Sequence, residues 1–406
     1  MNSFNNKQLK YKVINKCSYR YIFVFVMAFF ILCEYCKPFM WLDSLMIKHI
    51  LLACVMFLFG INILIKKHTF RFFSEIKTIL ISSFVLFSIS IIFQGINGHL
   101  QLYTLSEMYY LIIPLLFCFI IFNYDKTENI DFYCNIMLFI CLISFMVSRI
   151  YTGTLTIRNF IEMFNFKSLF IDSISPMIES DLSNFFLLLF IYFLYRKKNI
   201  QIILSGLGVF LGYKRFAVAF LIIIIIINIF IPKYKKVNKI LFWITIILFI
   251  LAPFSVFYMC NDNFAAWFYL KFGIDFNMFT MTRFDIINTV IDANLINYGL
   301  GTVTNFLEIR GIPGQTNMHN DILRIYMECT IVGSIIFTYS YFKITKNNYY
   351  SFILMFFIFT ELFVAHFIGP GTTSFWILAY MIIFYFNQDT RKIHFNKGLN
   401  KNEDII

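Results

Sequence analysis

Between Thr282 and Gly333 the chain carries Arg283, a Gly-Leu-Gly turn at Gly299 and Gly301, Arg310, and the tripeptide His319-Asn320-Asp321. Arg324 and Glu328 follow on a new apolar run. Arginine's planar fork grips phosphate-type oxygens two at a time, which lysine's point charge does not. A histidine with an ordinary pKa of about 6.5 takes a proton from a hydroxyl at neutral pH. Glycines let a loop backbone come close to a bound group. The longest polar interval of an otherwise apolar chain thus has what is needed to hold an anionic leaving group and activate a hydroxyl.

The elements that position these residues are membrane helices. With 60% hydrophobic and only 14% charged residues, the chain is not a soluble globular domain. Apolar runs of about 20 residues recur, the length that crosses a hydrocarbon core of ~30 Å. The alternation of a β-barrel is absent. The expected fold is an all-α polytopic membrane protein forming a single membrane domain over 1–406, with about 12 transmembrane helices. The predicted spans lie near 21–33, 45–65, 76–94, 104–122, 132–150, 182–195, 200–212, 216–231, 240–258, 322–342, 350–368 and 374–386. The pair 200–212 and 216–231 could instead be one long bent span. Glu34-Tyr35-Cys36-Lys37 stands where a signal peptide would have small residues, so the first span reads as uncleaved. Cys33 and Cys36 form a C-x-x-C, best read as buried small apolar residues.

Charge placement orients the chain. With a cytoplasmic N-terminus, the inside segments 1–20, 66–77, 126, 196–198, 233–239, 343–346 and the tail 387–406 hold 23 of the 34 Lys and Arg. Both termini are then cytoplasmic. Merging the two short spans would put the basic loop 232–239 outside and break the pattern. The net charge of +12 is mostly this topology signal, with weak attraction to anionic headgroups, and gives no reason to invoke nucleic acid. Two long outer loops remain, 151–181 and 259–321, the second between helices 9 and 10. Loops of such length are uncommon unless functional. In the second, Phe264–Tyr269 and Phe284–Ile296 read as short helices on the membrane surface.

Ionisable residues in spans tend to face a bundle interior or wet cavity. Glu107, Lys214, Arg215, Arg324, Glu328, Glu361 and His366 all fall towards outer helix ends. Each has a plainer explanation too. Arg324 can be neutralised on its own helix by Asp321 and Glu328. Lys214 and Arg215 can snorkel at a turn, Arg310 can be a solvated loop residue, and His366 a turn residue.

In order and spacing, Arg283, Gly299-Leu300-Gly301, His319-Asn320 and Glu328-Cys329-Thr330-Ile331-Val332-Gly333 resemble the signature region of the O-antigen polymerase and O-antigen ligase superfamily. There an arginine opening a short helix precedes Gly-x-Gly, and His-Asn opens a helix ending in Glu-x-Gly-Ile-Ile-Gly. Thr330 departs from the pattern, standing where the first glycine is usual. The detailed resemblance covers roughly the last third of the chain and extends, through the helix count, to the whole.

The resemblance implies a glycosyltransferase of the bacterial cytoplasmic (inner) membrane, with its site facing the periplasm or outside. It polymerises lipid-linked repeat units of O-antigen, capsule or exopolysaccharide. The growing glycan leaves its polyprenyl diphosphate and joins a new unit, without nucleotide sugar, cofactor or metal. The implied partners are the polyprenyl-diphosphate-linked oligosaccharide and membrane lipid, with a flippase and a chain-length regulator as candidates. Arg283 and Arg215 would stabilise the departing diphosphate, with Lys214, Arg310 and Arg324 as further cations. His319 would be the general base, oriented by Glu361 or Glu328, and Asn320, Gly299 and Gly301 would line the substrate. The ligase reaction, passing the finished glycan to lipid A core, fits the same motifs. A flippase of the pathway can also have twelve spans, but transporters favour paired repeats and midplane charges over one asymmetric outer loop.

Overall fold

The computed structural model describes residues 2–42, 47–66, 70–98, 100–125, 129–162, 180–280, 283–311 and 317–403. Among these the secondary structure is helical, without strands. In chain order come α1 (Asn2–Tyr35), α2 (Ile47–Lys66), α3 (Phe73–Ile96), α4 (Tyr103–Tyr124) and α5 (Ile130–Tyr151). Next are α6 (Ile157–Glu162), α7 (Leu182–Arg196), α8 (Asn199–Gly212), α9 (Arg215–Phe230) and α10 (Lys239–Met259). The long loop holds α11 (Asp262–Phe272), α12 (Phe276–Phe279), α13 (Arg283–Asp292) and α14 (Thr302–Arg310). The chain closes with α15 (Asp321–Lys343), α16 (Tyr349–Val364) and α17 (Thr373–Glu403). Most of the predicted outer loop 151–181 lies outside the described residues.

Among the described residues, six helices are long and apolar enough to cross a membrane: α2, α3, α4, α5, α10 and α15. The chain is therefore a helical, multi-pass membrane protein. Four more apolar helices, α7, α8, α9 and α16, have only 14 to 16 residues. At 1.5 Å per residue they measure about 21–24 Å, short of a ~30 Å core. Helices α7, α8 and α9 keep close to the predicted spans 182–195, 200–212 and 216–231, while α16 ends short of 350–368. Tyr213 ends α8 in a left-handed conformation (φ 56°), so α8 and α9 are two helices and not one bent span. Helix α16 stops at Val364, not near 368, which puts His366 in a turn beyond it.

The connections sort into two groups, each tied together internally. At one end Arg20 pairs with Asp125 (2.6 Å), Arg71 donates to the Asp125 carbonyl, and Arg196 pairs with Asp131 (2.7 Å). There also Lys233 meets Asp389 (3.6 Å), Arg391 meets Glu75, and Val237 N–H donates to the Lys346 carbonyl. At the other end Lys37 N–H donates to Ser148 Oγ, Tyr35 to the Gly371 carbonyl, and Asn97 Nδ2 to the Asn297 carbonyl. Lys214 bridges Asp181 and Glu361 there. Helix α7 runs between the two ends and is buried along nearly its whole length. Helix α8 packs so closely on it that a Cβ on Gly208 would lie 2.4 Å from the Phe186 ring. Such close backbone approach is how helices associate in lipid, where apolar surface alone gives no drive. Cys33 and Cys36 are both buried.

Candidate active site at the Lys214 end

The four short helices all stop at the Lys214 end: α7 begins after Asp181, α8 ends at Tyr213, α9 begins after Lys214 and α16 ends at Val364. The turn Val364–Ile368 lies among them and collects the polar residues. Arg283 Nη1, at the start of α13, donates to the Val364 carbonyl (2.8 Å). Asp321, fully buried at the start of α15, accepts from His366 Nδ1 (2.9 Å) and from the backbone N–H groups of Phe367 (2.5 Å) and Ile368 (2.8 Å). A carboxylate only accepts, so the proton shared between His366 and Asp321 is carried on His366 Nδ1. Lys214 Nζ sits 2.9 Å from both Asp181 Oδ1 and Glu361 Oε2, and 5.4 Å over the Phe367 ring. Burial works against the Lys214 charge, yet the two carboxylates hold its pKa above the ordinary lysine range. Asn184, in the apolar α7, donates to the same Glu361 oxygen (3.0 Å).

His319 lies in this group, just before α15, and is half-buried. Burial pushes its imidazole down, and the nearby Arg283 and His366 push further, against the opposing pull of Asp321 and Asp181, to about 4. It is therefore neutral at pH 7, with a lone pair available beside a cation. Arg215, half-buried, opens α9 next to Lys214.

Several of the other sequence candidates make contacts within the scaffold. Asn320 is the buried N-cap of α15, its Oδ1 accepting from Leu323 N–H (2.9 Å). Arg324, 1% exposed, reaches Glu107 on α4 (2.5 Å) and Asp321 on its own helix (3.0 Å), and donates to Thr304 (3.2 Å). Glu328 is fully buried and accepts from Val303 N–H (2.9 Å) at the start of α14. Arg310 is exposed at the end of α14. Gly299 and Gly301, expected beside the substrate, seat their loop against α3 and α4. Both have φ near 90° (89° and 86°), and a Cβ would lie 2.7 Å from the Ser90 carbonyl oxygen and the Tyr103 Cβ respectively.

That loop enters a break in α15. Thr330 has φ 63° and ψ −179°, a region essentially reserved for glycine. Just before it, the Met327 and Glu328 carbonyls accept from Asn297 N–H (2.7 Å) and Gly299 N–H (3.1 Å). The break thus exists in this chain with threonine at the position where the resemblance has glycine. Thr330→Gly is expected to stabilise the protein by about 1 kcal/mol, the released backbone strain less the added unfolded-state entropy. The check is the melting temperature in detergent, and an unchanged or lower value would remove the strain argument.

Asp321 and Asn184 are the residues that sequence reasoning missed, and it left His366 undecided. A lone Asn in the apolar α7 was a usable signal, because polar groups inside spans need partners. No protein-family model matches the chain, nor does any curated protein or solved structure.

Proposed function

We propose that the chain polymerises lipid-linked glycan repeat units at the outer face of a bacterial cytoplasmic membrane, crossing that membrane twelve times with both termini inside. The topology is supported by the two groups of connections. The segments bonded to one another at the Arg20 end are the cation-rich ones that belong inside. The Lys214 end then faces out. The short helices α7, α8, α9 and α16 all end at that face, where a lipid headgroup would meet the site.

The observation that carries the activity is the neutral His319 beside Arg283, at a turn buttressed by Asp321 and Lys214. Arg283 holds the departing diphosphate of the donor, whose negative charge grows as the glycosidic bond breaks. The acceptor sugar's hydroxyl attacks the anomeric carbon and gives its proton to His319. The glycan moves to the new unit and polyprenyl diphosphate leaves.

Arg283→Lys tests this reading. Lysine keeps the charge and a donor but loses the fork. The expected loss is on the order of 2–4 kcal/mol of transition-state stabilisation. In cells where this chain is the sole polymerase, the lipid-linked glycan ladder should collapse to single repeats. A full ladder from Arg283→Ala at normal protein level would remove this residue from the site.

A further inference from the structure

Leu251, Phe254 and Tyr258 are exposed along one side of the span α10, at the three- and four-residue spacing of a single helix face. In a membrane helix that side faces lipid. At Asn261 the chain turns, and the Asn261 side chain accepts from Asn263 N–H (2.9 Å) to cap α11. The Tyr258 and Phe264 rings meet across the turn, with centroids 5.6 Å apart, so the apolar side of α10 runs on into α11. Helix α11 has no buried residue, and Trp267 (51%), Leu270 (84%) and Phe272 (56%) are exposed on it. Its only charges are Asp262 and Lys271, near its two ends. Its 11 residues measure about 16 Å, too short to cross a hydrocarbon core. Trp and Tyr on such a helix suit the boundary between headgroups and acyl chains. Towards the protein, Phe268 packs 5.0 Å from the buried Phe276, and Phe276 packs 4.7 Å from Phe284. Phe284 adjoins Arg283, so one stack of rings joins α11 to the turn that carries the site's arginine.

We propose that α11 is seated in the membrane boundary at the Lys214 end, with Trp267, Leu270 and Phe272 in phospholipid, and that the Phe268–Phe276–Phe284 stack passes this seat on to Arg283. Continuity with the lipid-facing side of α10 is what names phospholipid as the occupant of the exposed face. The seat and the stack stand by themselves. Their use in the reaction rests on the polymerase reading, in which the diphosphate is held at the boundary by its own hydrocarbon chain. A cation that meets it has to be kept at that level, and α11 sets the level from the membrane itself.

The test uses the full-length protein in phosphatidylcholine nanodiscs, with a fluorescent amino acid incorporated at position 270. Brominated phosphatidylcholine should quench it, most strongly with the bromines near the glycerol, and iodide in the water should not. Quenching by iodide above lipid, or by neither, overturns the seat. Strongest quenching by bromines at the chain ends would put α11 in the hydrocarbon core and overturns the boundary placement. A fluorophore at position 288 on α13, in place of the one at 270, reads the coupling without any activity. Its iodide quenching should shift in Leu270→Asp, a change at an exposed position, and in Phe276→Ala, which removes the middle ring. No shift in either variant overturns the coupling. Glycan transfer by Leu270→Asp should fall by about 10–100-fold at normal protein level, the cost of a misplaced binding group. An unchanged rate overturns the part given to α11 in the reaction. A wild type that transfers no glycan but gives the expected quenching ends the polymerase reading and leaves the seat and its coupling standing.

Discussion

His319→Gln should slow glycan transfer by about 10²–10⁴-fold while protein level and membrane insertion stay normal. Glutamine keeps a hydrogen-bonding end at this half-buried position but cannot take a proton, so a role in hydrogen bonding alone would leave substantial activity. The pH profile carries a second expectation. With the imidazole at about 4 in the free protein, it is already deprotonated at neutral pH. As pH falls through that value the lone pair is lost, so kcat/KM should be flat above about pH 5 and drop below it. A bound diphosphate brings negative charge towards Arg283 and His319 and raises the imidazole's pKa. The acid limb of kcat should therefore lie at higher pH than that of kcat/KM. Identical limbs, or a near-normal rate in the glutamine variant, would end the base assignment.

Arg324→Met should destabilise the protein by about 3–5 kcal/mol, enough to cut its membrane level sharply. Methionine fills much of the same volume but leaves Glu107, 4% exposed, and Asp321, fully buried, without their shared cation. Breaking one side of a buried ion pair costs far more than the pair contributes. The loss should also reach the site, because the Asp321 oxygen that Arg324 contacts is the one that holds His366. Adding Glu107→Gln to Arg324→Met should recover part of the loss, since the two residues share one contact and their effects do not add. Thermal unfolding of the purified variants checks both. If the double variant is as unstable as the sum of the singles, the pairing is not the cause.

The membrane class and the polar interval were legible because both are written in local composition. The candidates Arg283 and His319 were legible through residue type, and the structure brings them to one turn. That turn was not legible. Asp321 and the Val364–Ile368 backbone lie over forty residues apart, and nothing local in either says that they meet. The ends of the helices were legible only in part. The break between α8 and α9 was legible as the end of an apolar run, but not the left-handed Tyr213 that makes it nor the carboxylates that hold Lys214 there. Glycine at 299 and 301 announced a close approach without saying to what, and the partner proved to be α3 and α4. At Thr330 the residue type pointed away from a break that is nevertheless present.

Glycan transfer between lipid-linked units by Arg283 and His319 at the Lys214 end is tested on the purified protein in liposomes, supplied with polyprenyl-diphosphate-linked repeat units accessible from that end. The expected result is products lengthening by whole repeats, one free polyprenyl diphosphate released per bond formed, and neither from His319→Gln or Arg283→Lys. Repeat units carried across the bilayer at unchanged length would contradict it, and would make the chain a transporter.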